Sequence, residues 1–168
     1  MTSWLLAAVI ATSGDWEHAP KPEQFPGTAT FTGTPAEVRL VGGRTRLFRT
    51  MLRRGALNGP NFAGHYTVVA WGCGLGAFEL AIVDAKSGRV LWPPFGCMAL
   101  AGAFLPLEDP RPNPAFRLDS SLLVVAGVED KPGEEPKDRA VRFYVFEGDR
   151  FRLIYRIPEV WPEAESQE

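Results

Sequence analysis

The sequence predicts an α+β fold that is mostly β: an antiparallel β-meander sheet with one N-terminal amphipathic helix packed on it. Two observations favour the sheet. Short apolar and β-branched runs recur along the chain, and 15 prolines and 17 glycines mark the many turns between them. A third observation favours the helix, because apolar residues fall at helical spacing most clearly from Gly43 to Ala56.

Composition indicates one soluble domain. A chain of 168 residues suits a single core, and 45% hydrophobic with 23% charged residues is ordinary for a globular protein. We expect a globular domain at 15–161, an apolar lead-in or signal peptide at 1–14 and an acidic tail at 162–168. The formal net charge of -2 gives no reason to expect a nucleic-acid partner.

The centre of the chain predicts a three-stranded meander. Its strands are expected at Tyr66 to Trp71, Phe78 to Val83 and Arg89 to Trp92. A glycine-rich corner, Gly72 to Gly76, separates the first two strands, and a tight turn from Asp84 to Gly88 separates the last two.

A weak internal repeat predicts a second, similar three-stranded unit. It consists of a strand at Ser120 to Val128 and a hairpin of Val141 to Phe146 with Arg150 to Ile157. Two such units are too few for a propeller, so we expect one antiparallel sheet covered by the helix.

Shorter elements are expected around these units. Ala29 to Phe31 and Glu37 to Leu40 have the composition of short strands. Pro93 to Phe116 is a long, proline-rich loop in which Cys97 to Phe104 could form a helical turn or a strand. A charged loop follows from Glu129 to Arg139.

The helix is expected to turn one apolar face to the sheet and to carry arginines elsewhere. The apolar face comprises Leu47, Phe48, Met51 and Leu52. The arginines are Arg46, Arg49 and Arg53, with Arg44 and Arg54 beside them. We favour a solvated face whose arginines pair with scattered carboxylates, and the alternative is a patch for an anion or an acidic partner.

The stretches GPNFAGHYTVVAWGCG and AIVDAKSGRVLWPP carry a family resemblance. They resemble a family of small, uncharacterised bacterial proteins that are expected to be exported. Members often read WGCG followed by two residues and a second cysteine, whereas this chain has Ala77 at that position. The resemblance implies a compartment and a fold, and it supplies no activity.

The first residues agree with export without requiring it. The apolar run from Trp4 to Ala11 suits the core of a signal peptide and is too short to cross a bilayer. The positive charges expected before such a core are missing, so a buried first strand or helix stays open. With the resemblance, we favour a periplasmic or extracellular location over the cytoplasm. We expect no transmembrane segment, because no other stretch approaches the necessary length.

The chain has two cysteines, Cys73 and Cys97. In an oxidising compartment we expect a Cys73–Cys97 disulfide, and in the cytosol two buried thiols. A sharper alternative makes Cys73 a nucleophile with His65 as its base, because the even separation of eight residues allows both side chains to face one side of a strand. No cysteine-enzyme signature surrounds Cys73, so we do not favour catalysis.

The most polar cluster precedes the central strand. Asn58, Asn61, His65 and Tyr66 are expected to serve turn chemistry and, with Trp71, to form the rim of any binding pocket.

Metal, cofactor and glycosidase signals are weak. The histidines and cysteines lack zinc-site spacing, and GCGLG lacks the lysine and following helix of a nucleotide loop, so we expect no metal and no cofactor. Asp84 is explained by its turn and Glu79 by an exposed strand face, which argues against a carboxylate pair.

These observations favour a non-catalytic extracytoplasmic binding or inhibitory module with an unknown protein or small-molecule ligand. Two alternatives remain: a small hydrolase that uses Cys73 and His65, and a structural protein of the cell envelope.

Overall fold

A computed structural model describes residues 16–74, 76–99, 113–129 and 139–158. Within these ranges the chain forms a 3₁₀ turn at Pro22–Gln24, two short helices and seven strands. The helices are α1 (Gly43–Leu47) and α2 (Arg49–Ala56). The strands are β1 (Tyr66–Gly74), β2 (Ala77–Asp84), β3 (Val90–Leu91), β4 (Met98–Ala99), β5 (Leu122–Glu129), β6 (Ala140–Phe146) and β7 (Phe151–Pro158). The predicted α+β, mostly β class is confirmed.

All strand pairs are antiparallel, in the order β1-β2-β4-β5-β6-β7, with β3 also paired to β2. The two predicted three-stranded units are present as the meanders β1–β2–β3 and β5–β6–β7. The short strand β4 joins them, since Met98 pairs with Phe78 of β2 and Ala99 with Val128 of β5. β1 and β7 are therefore the two outermost strands of the sheet.

Both meanders have buried side chains on both of their faces, which produces three packed layers of apolar side chains. A central core lies between the meanders and contains Phe62, Tyr66, Val68, Leu80, Ile82, Phe95, Met98, Leu123, Val125, Tyr144 and Phe146. An outer core under α2 contains Val38, Leu52, Ala56, Val69, Trp71, Ala81 and Val83. A second outer core covers the other meander with Ala19 and Ala115 against Leu122, Val124, Ala126, Val141, Phe143, Val145 and Ile157.

The helical stretch has the predicted limits, but it is divided at Phe48, whose backbone (φ -95°, ψ 16°) separates α1 from α2. Leu52 is fully buried and Phe48 is half-buried, as expected. The prediction was wrong for Leu47 and Met51, which are 73% and 46% exposed. The buried side of the helix instead contains Leu52 and Ala56. These residues are four positions apart and therefore lie on the same side of the helix.

Gly55 explains why this side of α2 faces the sheet. A Cβ atom at Gly55 would lie 2.6 Å from a methyl carbon of Val69, so only glycine lets the helix come this close to β1. Any larger residue would push α2 away from the outer core. The close approach was not visible in the apolar pattern, since glycine contributes nothing to it.

The expected short strands before the helix are absent. Residues 29–31 and 37–40 form no strand, and each segment is tied by single backbone bonds. The N–H of Phe31 donates to the Gly64 carbonyl at 2.9 Å, and that of Arg39 donates to the Gly88 carbonyl at 2.8 Å. Isolated bonds of this kind hold an extended segment without a ladder.

The other boundaries shift by a few residues. β3 is shorter than expected, β1 continues through the glycines to Gly74, and β4 is the strand that the described part of Cys97 to Phe104 forms. The rest of that segment, most of the charged loop, the lead-in at 1–14 and the tail at 162–168 lie outside the described residues.

The corrected helix face can be tested with two leucines. Leu52→Ala should lower the free energy of unfolding by about 3 kcal/mol, because it empties a fully buried site. Leu47→Ala is the matched control and should change it by less than about 0.5 kcal/mol. Urea denaturation measures both values, and equal losses would contradict the observed orientation of the helix.

Candidate binding site

β1 is an edge strand, since β2 is its only partner among the strands of the described ranges. The N–H of Tyr66 donates away from β2, to the Phe62 carbonyl at 3.0 Å. Because backbone groups alternate along a strand, Val68, Ala70 and Gly72 also direct their N–H and C=O groups away from β2. These outward groups form the outer edge of the sheet.

The first half of this edge is capped by the preceding loop. The Val68 N–H donates to Oδ1 of Asn61 at 2.7 Å, and Nδ2 of Asn61 donates to the Val68 carbonyl at 3.3 Å. The Asn61 side chain therefore replaces one residue of a neighbouring strand. The hydroxyl of Thr67 fixes the same loop by donating to the Gly59 carbonyl at 2.9 Å. This confirms the turn chemistry expected of Asn61.

The cap ends at Val68. Ala70, Gly72 and Gly74 are exposed, and no described residue bonds to the outward backbone groups of Ala70 or Gly72. An open stretch of edge is a ready site for pairing with another chain. The open edge, Ala70 to Gly74, is the second half of β1.

A groove of about 410 Å³ runs between α2 and this strand. Its lining residues come from the helix, the turn after it and β1: Met51, Arg54, Gly55, Leu57, Asn58, Val69 and Ala70. Leu57 is 84% exposed at its rim, and Met51 is exposed beside it. Among the described residues that line the groove, none has an acidic, histidine, cysteine or hydroxyl side chain, so these residues offer contact surface and hydrogen bonds without a nucleophile or a base.

The helical wall of the groove is positively charged. The stretch 43–56 contains five arginines and no acidic residue. The pairing expected of them is found for two: Arg44 bonds to Glu79 at 2.6 Å, and Arg53 lies 3.5 Å from Glu37 on the side of α2 away from the groove. Within the described ranges, Arg46, Arg49 and Arg54 have no carboxylate partner.

Glu79 is buried, so the predicted exposed strand face was wrong for this residue. Its carboxylate is neutralised by Arg44, whose guanidinium carbon also lies 3.9 Å from the centre of the Trp92 ring. Trp71 packs in the same cluster, with ring centres 4.8 Å from Phe48 and 6.0 Å from Trp92. Trp71 therefore belongs to the packing under α1 and α2.

His65 and Tyr66 lie at the opposite end of β1 and are satisfied within the fold. Nδ1 of His65 lies 2.9 Å from the Thr28 hydroxyl, and Nε2 lies 3.8 Å from an Asp84 oxygen. Burial, with a smaller contribution from the positive charge of Lys86, lowers the pKa of His65 despite the opposing effect of Asp84. The Tyr66 hydroxyl donates to the Gly148 carbonyl at 3.1 Å, and burial raises the pKa of this phenol.

Asp84 has the turn role predicted from its sequence context. One carboxylate oxygen accepts the Lys86 N–H at 2.9 Å, and the other accepts the Ser87 hydroxyl. The turn ends at Gly88, which has a φ of +70° and lies against the Glu37 carbonyl, where a Cβ atom would collide.

The predicted Cys73–Cys97 disulfide is present, with the two Cα atoms 6.2 Å apart. It ties the end of β1 to the segment before β4. His65 precedes the start of β1, so it lies about 26 Å along the strand from Cys73. The structure therefore does not bring the candidate nucleophile and base together, and Cys73 is bonded through its sulfur atom.

The five predicted rim residues do not form one pocket. Asn58 lines the groove, Asn61 caps the edge beside it, and His65, Tyr66 and Trp71 lie elsewhere. Sequence reasoning did not assign Met51, Leu57 or Ala70 to a binding site, and it named Arg54 only as part of a possible patch for an anion or an acidic partner. The spacing of Met51, Arg54 and Leu57 at intervals of three was a usable signal, because it places them along one side of a helix and its following turn.

Among the described residues, no group of three potential metal ligands is close enough to hold an ion. No described helix is both long and apolar enough to cross a membrane. No known protein family matches the chain, and comparisons with curated proteins and with solved structures return no match.

Two asparagines test the cap on the edge. Asn61→Ala removes both bonds to Val68 and should lower the free energy of unfolding by about 1–2 kcal/mol. Asn58→Ala is the control, since Asn58 is exposed, and it should change stability by less than about 0.5 kcal/mol. Thermal and urea unfolding give both values; an unaffected Asn61→Ala protein would show that water replaces the cap without cost.

Proposed function

We propose that the protein is a non-catalytic binding module that acts outside the cytoplasm and holds its ligand in the groove between α2 and β1. The observation that carries this proposal is the convergence of three features at one place. Exposed apolar side chains, an arginine without a carboxylate partner in the described part of the chain and the start of the open backbone edge, at Ala70, all border the same groove. Binding sites combine apolar surface with a few placed polar groups in this way.

The extracytoplasmic part of the proposal rests on different support. A disulfide between Cys73 and Cys97 persists most readily in an oxidising compartment. The apolar run at Trp4 to Ala11 suits a signal peptide, and the family that the chain resembles is expected to be exported. A secreted binding protein would use the disulfide to fix the far end of β1.

Mass spectrometry of the protein isolated from its source organism tests the location. We expect a mature chain that begins near Ser13 or Gly14 and is lighter by two hydrogen atoms because Cys73 and Cys97 are joined. The readout needs no knowledge of the ligand. An intact chain from Met1 with two free thiols would overturn the export proposal.

Peptide binding tests the groove. The full chain would be used to select from a random peptide library, and the selected peptides would be titrated into isotope-labelled protein while backbone amide resonances are followed. We expect the largest shifts at Arg54, Gly55 and Ala70, which line the groove.

Two exposed leucines supply the matched variants. Leu57→Ser should weaken binding at least fivefold, because Leu57 forms the rim, whereas Leu153→Ser on β7 should leave it unchanged. Selection that yields no binder, or resonance shifts centred on His65 and Asp84, would contradict the groove as the binding site.

A further inference from the structure

We propose that the groove binds an extended acidic peptide segment of another protein by adding it as a strand to the open edge of β1. This inference rests on the proposed function and adds the chemistry of the ligand. It joins two observations on neighbouring surfaces: backbone groups of β1 that bond to no described residue, and arginines of the helix that have no carboxylate partner within the described ranges.

The outward backbone groups of β1 determine the orientation of the bound segment. Asn61 already behaves as one residue of a neighbouring strand by exchanging two hydrogen bonds with Val68. A peptide continuing from that position would meet the outward N–H and C=O groups of Ala70 and then of Gly72. Main-chain bonds of this kind recognise extended segments with little regard to their side chains, so they set orientation more than specificity.

The side chains of the helix determine which residues the bound segment should carry. Successive side chains of an added strand alternate between the two faces of the sheet, so every second one would point to the side occupied by α2. There they would meet Arg54, with Met51 and Leu57 beside it. Arg46 and Arg49 add positive charge from nearby turns, and neither has a carboxylate partner within the described ranges.

Charge complementarity therefore favours an acidic segment over a neutral or basic one. The whole chain has a net charge of -2, yet three of the five arginines in 43–56 have no carboxylate partner among the described residues, and one of these three, Arg54, lines the groove beside Ala70. A carboxylate opposite an arginine without an intramolecular partner gains a charge-assisted bond, and a lysine at the same place would be repelled. A second copy of this chain through the same edge is the competing occupant.

The probe is an eight-residue peptide with blocked ends in which glutamate and valine alternate. Its controls replace all glutamates by glutamine or by lysine, which keeps the length and the strand propensity. Isothermal titration at low salt should show binding of the glutamate peptide that is at least about tenfold tighter than that of the glutamine peptide, and no binding of the lysine peptide. Affinity should fall as salt is added.

Adjacent arginines provide matched protein variants. Arg54→Ala should weaken binding of the glutamate peptide about three- to fivefold, because Arg54 lines the groove. Arg53→Ala removes an equal charge from the other side of α2, next to Glu37, and should have a smaller effect. Equal losses would indicate a diffuse field and would overturn the assigned contact.

Backbone methylation of the peptide tests strand addition without changing the protein. Two glutamate peptides would carry N-methyl groups, one on every glutamate and the other on every valine. Only one of the two sets of N–H groups faces β1 in an added strand, so one peptide should lose binding and the other should keep it. Equal affinities would show that no strand is added.

The remaining outcomes separate the inference from the proposed function. Glutamate and glutamine peptides that bind the groove equally would overturn acidic recognition and leave the binding module standing. If the groove bound library peptides but neither the glutamate nor the glutamine peptide, acidic recognition would likewise be overturned and the binding module would stand. If no peptide bound to the groove, both the inference of an acidic strand and the proposed binding function would be contradicted. Sedimentation that reveals a dimer competing with the glutamate peptide would assign the edge to a second copy of the chain.

Discussion

The first meander is apolar on both faces. The rest of the fold is arranged so that a different element covers each of these two faces. Val68 and Ile82 face the central core, whereas Val69 and Val83 face the opposite way. A hairpin of this kind cannot leave either face in water without losing its main source of stability. The second meander covers one face and α2 covers the other. Because β1 is also the outermost strand, the helix that covers its face runs beside its edge, and the groove is a consequence of that packing.

The open edge of β1 beside the groove is held at both of its ends. Asn61 holds the near end of the edge at Val68, and the disulfide of Cys73 holds the far end to the segment before β4. An edge held at both ends loses little conformational freedom when a ligand pairs with it, which favours affinity. The irregular register between Gly72 and Gly74 limits how far an added strand can extend. The same features leave room for one short segment and discourage open-ended association of edges.

The sequence predicted the strands because burial on both faces leaves long apolar, β-branched runs such as Leu122 to Val128, which need no tertiary information to recognise. It predicted the Asp84 turn for a similarly local reason, and it predicted the disulfide because the chain has two cysteines and an oxidising compartment was expected. It failed at Leu47 and Met51, because apolar spacing cannot reveal that Gly55 lets the helix approach Val69. It failed at Glu79 because Arg44 neutralises that carboxylate from 35 residues away. The groove itself was beyond local reasoning, since it needs α2, the cap of Asn61 and the edge of β1 in one place.

Amide hydrogen exchange of the free, full-length protein is the most direct test of the open edge. The amides of Val68 and Ala70 point in the same direction from the same strand, and they differ in that Asn61 accepts the first. After correction for intrinsic rates, the account predicts that Ala70 exchanges much faster than Val68, while Val69, which faces β2, stays protected. An Ala70 amide as slow as that of Val68 would mean that another part of this chain, or a second copy, already pairs with the edge, and it would contradict the account.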